Sequence, residues 1–216
     1  MLKIYDYSLY LVISEEYGMG RSAPEIAKLA ISGGADIIQM REKNKDRDEL
    51  VKLACELSSL CKKKRVIFIV NDDPLIARES NASGVHLGQE DMLKYSLTET
   101  RNIIGNGKII GVSTHSLAEL EKANECDVDY IAYGPIFPTE TKKYFLGAKD
   151  IKEALKIAKK PVVFIGGINL SNLGEILKQG AKNIAVIRGI IQAEDMIVMA
   201  RNFKDRLIKE KEKSGG

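Results

Sequence analysis

Eight times along this chain a short apolar run is followed by a stretch with helical spacing, and that recurrence restricts the fold more than any other feature. The runs are Tyr7–Ser14, the segment opening at Ile37, Arg65–Val70, Gly84–Gly88, Lys108–Val112, Tyr130–Tyr133, Pro161–Ile165 and Asn183–Ile187. They are apolar almost throughout, as strands are when both faces are covered. Amphipathic stretches separate them, among them Asp46–Lys62, Leu97–Ile104, Lys149–Lys159 and Glu194–Glu210. This alternation, without a linker, predicts one α/β domain over residues 1–216. It is a (β/α)8 TIM barrel with a charged helix end and tail from about residue 209. A doubly wound open sheet is the alternative. It fits less well, because polar motifs follow nearly every strand instead of gathering at one switch point.

Several features narrow the function by exclusion. Gly18, Gly20 and Ala23 match G-x-G-x-x-A, a dinucleotide fingerprint. Ser22 with Glu25 and the early Pro24 explain the same stretch as a capped helix start. Net charge is +3, from 33 Lys and Arg against 30 Asp and Glu, with no basic block. Nucleic acid and a membrane surface are therefore not expected partners. Cys55, Cys61 and Cys126 form no C-x-x-C pair and are odd in number, which suits reduced thiols in a cytoplasmic protein. No apolar run reaches the roughly 18 residues of a membrane span, and no signal-peptide pattern is present. Oligomeric state stays open, a homo-oligomer included.

In a barrel the loops after the strands share one face, and that face carries the chemistry. Strand alternation puts Ile37, Gln39, Arg41 and Lys43 on one side. That set reads either as an anion grip or as a strand end entering solvent. Asn71 and Asp72 end the third strand, Asp91 follows the fourth, and Ser113 and His115 follow the fifth. Thr139, Thr141 and Lys142 lie in the long connection after the sixth, and Gly166-Gly167 follows the seventh. Asp72 and Asp91 are hard oxygen ligands suited to Mg²⁺ held jointly with substrate phosphates. Arg41, Lys43 and Lys142 neutralise a polyanion. The Gly-Gly turn offers bare backbone N–H groups for a second phosphate. No nucleophile–base pair is evident. His86, inside a strand, reads as a satisfied inward residue. His115 is nearer the active face and stays open between substrate contact and a structural role.

Taken together, several motifs resemble those of one family. They are Gln39-Met40-Arg41-Glu42-Lys43, Val70-Asn71-Asp72, Gly84 to Asp91, Gly111 to Ser116, Gly134 to Lys142 and Ile165 to Ile168. In this order they resemble thiamine phosphate synthase over nearly the whole chain. The resemblance implies a (β/α)8 barrel and a transferase of thiamine biosynthesis that joins hydroxymethylpyrimidine diphosphate to hydroxyethylthiazole phosphate. It implies Mg²⁺ on Asp72 and Asp91. Arg41, Lys43, Asn71 and Lys142 would lie on the diphosphate, and Gln39 and Ser113 near the pyrimidine. Thr139, Thr141, Gly167 and the end of strand eight, Ile187 and Arg188, would meet the thiazole phosphate. Arg41, Lys43, Ser113 and Lys142 would act in catalysis. One departure stands out: Arg188 occupies a position where the family usually has Ser. A thiazole tautomerase on the same barrel is the nearest rival reading, and a non-catalytic phosphate-ligand sensor is a second. The Gly134–Gly147 connection is expected to act as a lid.

Overall fold

A computed structural model describes residues 3–140 and 144–214, and in it the eight strands close into one barrel. They are β1 (Leu9–Ile13), β2 (Ile37–Met40), β3 (Ile67–Asn71), β4 (Gly84–Leu87), β5 (Ile109–Thr114), β6 (Tyr130–Tyr133), β7 (Val162–Ile165) and β8 (Asn183–Val186). All neighbours are parallel, and β1 pairs with both β2 and β8. A closed parallel barrel has no free edge and sets every strand's C-terminal end on the same rim.

The helices wrap the outside. They are α1 (Ala23–Ser32), α2 (Arg47–Lys64), α3 (Pro74–Glu79), α4 (Asp91–Lys94), α5 (Leu97–Ile104), α6 (Leu117–Asn124), α7 (Asp150–Ile157), α8 (Leu173–Lys178), α9 (Arg188–Ile191) and α10 (Met196–Ser214). The Ser22–Glu25 pair forms a reciprocal capping box at α1, with Pro24 in its first turn. That local chemistry accounts for the G-x-G-x-x-A match. Asp46 and Glu49 form the same box at α2. Single-turn elements, namely a 3₁₀ turn at Glu15–Tyr17, α4 and α9, have no counterpart in the sequence reading. One turn is too short to establish a period. The Lys209–Lys213 run lies within α10, which continues to Ser214, and a Lys213–Glu210 pair of 3.1 Å spans one turn of it. No helix among the described residues is long and apolar enough to cross a membrane.

Each strand splits its side chains between two cores. Leu9, Leu11 and Ile13 of β1 pack outward with Ile38, Phe68, Val85, Ile131 and Phe164 beneath the helices. Tyr10 and Val12 point into the barrel with Ile37, Ile69, Ile109, Tyr130 and Val163. Two buried faces explain why the strands read as continuous apolar runs. Gly111 has a specific reason to lack a side chain. A Cβ there would lie 2.0 Å from Cζ of Tyr130, whose ring occupies the space.

Candidate active site

The polar residues expected after the strands do gather at the C-terminal rim, although two strand ends differ from expectation. β2 stops at Met40, so Gln39 points inward while Arg41 and Lys43 lie in the following loop. The Arg41 N–H still donates to the Ile13 carbonyl at 3.0 Å, which fixes where that loop departs. β5 runs on to Thr114, so Ser113 is a strand residue on a rigid frame. Glu42, assigned no role from sequence, ties the first two loops together. Its half-buried carboxylate accepts the Glu15 N–H at 2.7 Å.

Asp72 and Asp91 stand together on one side of the rim. Asp72 adopts a left-handed conformation at φ 69°, and its N–H donates to the His86 carbonyl at 2.8 Å. Few non-glycine residues enter that region, and Asp and Asn do so more readily than most. Asp91 opens α4, and its Oδ2 accepts the Gly88 N–H at 2.9 Å. Burial and the hydrogen-bonded, like-charged Asp91 push the Asp72 carboxyl up to about 6, while Lys43 and Arg41 pull it back down. Two carboxylates pressed together in this way relax when a cation lies between them. The pair lines a cavity of about 210 Å³ with Arg41, Asn71 and Lys94. Among the described residues no group of three His, Cys, Asp or Glu assembles. Two hard oxygen donors beside cations and an anion-sized cavity suit a divalent ion that takes its other ligands from substrate and water.

A second cavity, about 130 Å³, lies over the barrel interior and is lined by Tyr10, Gln39, Asn71, His86, Ser113 and Tyr130 among others. A continuous hydrogen-bond chain forms its floor. Gln39 Nε2 donates to Asn71 Oδ1 at 2.5 Å, and the Tyr10 hydroxyl donates to Gln39 Oε1 at 2.7 Å. Tyr10 and Tyr130 hydroxyls meet at 2.9 Å. The His86 ring joins Tyr130 through Nδ1 and Ser113 Oγ through Nε2, both at 2.8 Å. His86 is thus the satisfied inward residue expected from sequence, and burial lowers its pKa to about 4. Gln89 Nε2 donates to the Ser113 carbonyl at 2.5 Å and holds that strand end. The sequence places Tyr10 and Tyr130 in strands but gives them no role in the site; the glycine at 111, over which the Tyr130 ring lies, is the signal that could have pointed to it.

A third cavity, at about 480 Å³ larger than the other two, is lined by Thr139, Gly166, Gly167, Ile187 and Arg188 together with Ser113 and His115. Gly166 and Gly167 have φ of 102° and 67°. A Cβ on Gly167 would come within 2.6 Å of the Pro138 carbonyl, so the turn packs against the β6 loop. That loop is anchored at its base by Ile136 N–H to the Ile165 carbonyl at 2.9 Å and Leu146 N–H to the Pro135 carbonyl at 2.8 Å. Arg188 faces this cavity, forms an ion pair with Glu140 of the β6 loop and lies 5.5 Å from the centre of the Tyr17 ring. His115 Nδ1 is 3.4 Å from Glu119 Oε2. Lys43 is exposed and lines none of these three cavities; it reaches the site through its field at Asp72. Thr141 and Lys142 lie outside the described residues. Arg41 lines all three cavities.

Comparison with known proteins adds independent findings. A family model described as thiamine monophosphate synthase matches residues 9–190. The chain is 42% identical over 202 residues to the thiamine-phosphate synthase of Methanocella arvoryzae, covering 92% of this chain and 93% of that one. It is 41% identical over 193 residues to the thiamine-phosphate synthase of Persephonella marina, covering 88% and 91%. The solved structure of thiamine phosphate pyrophosphorylase from Pyrococcus furiosus superposes with a TM-score of 0.86 at 32% identity, over 94% of this chain and 96% of that one.

Proposed function

The chain belongs to the thiamine monophosphate synthase family, and we propose that its barrel mouth joins hydroxymethylpyrimidine diphosphate to hydroxyethylthiazole phosphate, giving thiamine phosphate and diphosphate. One observation carries the assignment of this site: Asp72 and Asp91 are pressed together beside Arg41, which also borders the glycine-rich phosphate cavity. Two anion sites that share one cation suit a reaction between two phosphorylated substrates.

The chemistry needs no covalent nucleophile, in keeping with the inventory of the rim. The methylene carbon–oxygen bond breaks and its electron pair leaves with diphosphate, and the electron-rich aminopyrimidine shares the positive charge that remains. The thiazole nitrogen then gives its lone pair to that carbon. Arg41 and Lys43, with Lys142, offset the negative charge growing on the leaving group, and Asn71 donates to it. Asp72 and Asp91 would hold Mg²⁺ shared with the diphosphate, and the ion, when bound, neutralises charge on the leaving oxygens. Gln39 and Ser113 orient the pyrimidine. Thr139, Thr141, the Gly167 and Ile187 backbone and Arg188 hold the thiazole phosphate, so that the attacking nitrogen is aligned before the bond breaks.

An assay with both phosphorylated substrates, run after chelation and again with Mg²⁺, tests the reading. Thiamine phosphate and diphosphate should form only with the metal. Asp91→Ala should lose about 10²-fold or more in kcat, the scale of removing one charge-stabilising group. Condensation that persists without divalent metal would overturn the metal assignment. Isomerisation of the thiazole phosphate with no condensation would replace the synthase with a tautomerase.

A further inference from the structure

The hydrogen-bond chain beneath the second cavity does more than satisfy buried polar groups. It draws one residue from each of six strands: Ser113 of β5, His86 of β4, Tyr130 of β6, Tyr10 of β1, Gln39 of β2 and Asn71 of β3. Tyr10, Tyr130, His86 and Gln39 are all buried, which leaves each inner link few other partners. Every hydroxyl has one proton to give, and a neutral imidazole has one N–H. The bonds therefore cannot be oriented independently.

The proton order follows from one end. Gln39 gives an amide proton to Asn71 and accepts the Tyr10 proton on Oε1. With its proton committed, Tyr10 can only accept from Tyr130. Tyr130, committed in turn, can only accept from His86, so the imidazole proton is on Nδ1. Nε2 is then a bare lone pair, and the Ser113 hydroxyl donates to it. The one other consistent order reverses every bond at once. That reversal would turn the Asn71 amide and present its carbonyl oxygen to the cavity that contains Asp72, Asp91 and Arg41, where an anion is to bind. The anion side therefore selects the order in which the Asn71 N–H₂ faces that cavity.

We propose that this chain carries a hydrogen-bond polarity from the anion site across the barrel to Ser113, so that Ser113 meets the substrate ring as an acceptor and Asn71 faces the anion cavity as a donor. Tyr10, Tyr130 and His86 are then positioning residues. On the synthase reading given above, the ring docks with its amino group towards Ser113. A ring with an acceptor in place of that amino group would face an oxygen that has no proton to offer, and a buried unpaired contact of that kind discriminates strongly.

The tautomer of His86 is a direct readout that does not depend on activity. The chain has two histidines, so ¹⁵N-histidine labelling yields two ring spin systems, assigned with a His115→Gln variant. In the unmodified protein His86 should show a protonated Nδ1 and an unprotonated Nε2; a protonated Nε2 would overturn the proposal. Tyr10→Phe removes the donor to Gln39 without touching Ser113 or the rim. It should convert His86 to a mixture of tautomers and lower kcat/KM for the pyrimidine diphosphate by about tenfold, with KM for the thiazole phosphate unchanged. Tyr10→Phe with an unaltered His86 spectrum and an unaltered pyrimidine kcat/KM would also overturn it. If the tautomer is as stated but no condensation occurs, the synthase reading fails and the relay stands.

Discussion

Burial lowers the pKa of His86 to about 4, against 6.5 for the free side chain, because the charged ring would lie among hydroxyls inside the barrel. The unfolded chain takes up a proton near pH 6.5 that the folded chain refuses until near pH 4. Stability linked to this group is therefore complete above about pH 6.5 and falls as the pH drops towards 4, by on the order of 3 kcal/mol. We expect urea unfolding midpoints near pH 7.5 and near pH 4.5 to differ more in the unmodified protein than in His86→Gln. Asp72, whose raised value acts in the opposite sense, is common to both proteins and drops out of the difference. Equal pH sensitivity in the two would contradict the burial argument.

The rim depends on how whole strands and loops fit together. β5 and β6 pack closely because Gly111 leaves room for the Tyr130 ring, and Gly111→Ala should cost about 1–3 kcal/mol by overpacking. Chemical denaturation measures that cost, and a Tyr130→Ala background should recover part of it by emptying the space. On the other side, the β6 loop and the start of α9 meet through Glu140 and Arg188. Glu140 is a largely exposed resident anion on the arginine that the phosphate is proposed to reach. Glu140→Gln should therefore lower KM for the thiazole phosphate by at most about fivefold, the equivalent of the 0.2–1 kcal/mol an exposed ion pair is worth. An unchanged KM in Arg188→Ser would mean that Arg188 does not contact that phosphate.

Taken as one body, the barrel should gain stability from the ions its rim is proposed to hold. A cation held by Asp72 and Asp91 would relieve their repulsion only in the folded state, and diphosphate would add ligands to that cation. Mg²⁺ with inorganic diphosphate should raise the melting temperature more than the separate effects added together. Saturation at about 100 times Kd corresponds to about 2.7 kcal/mol. Asp91→Ala should remove the excess, as calorimetry would show. The architecture behind this was written locally. Eight apolar runs with helical stretches between them, and caps such as Ser22–Glu25 and Asp46–Glu49, each depend on a few neighbouring residues. Local spacing also tells which residues stand at strand ends, and so Gln39, Asp72, Asp91 and Ser113 were legible as members of one face. Partnership was not. The chain from Ser113 to Asn71 joins side chains up to 120 residues apart, and Arg188 finds Glu140 and Tyr17 across two loops. Strand alternation settles which way a side chain points. What it meets is set by the stagger of the closed sheet and by the volume left at glycines such as Gly111, and these exist only once all eight strands have closed on one another.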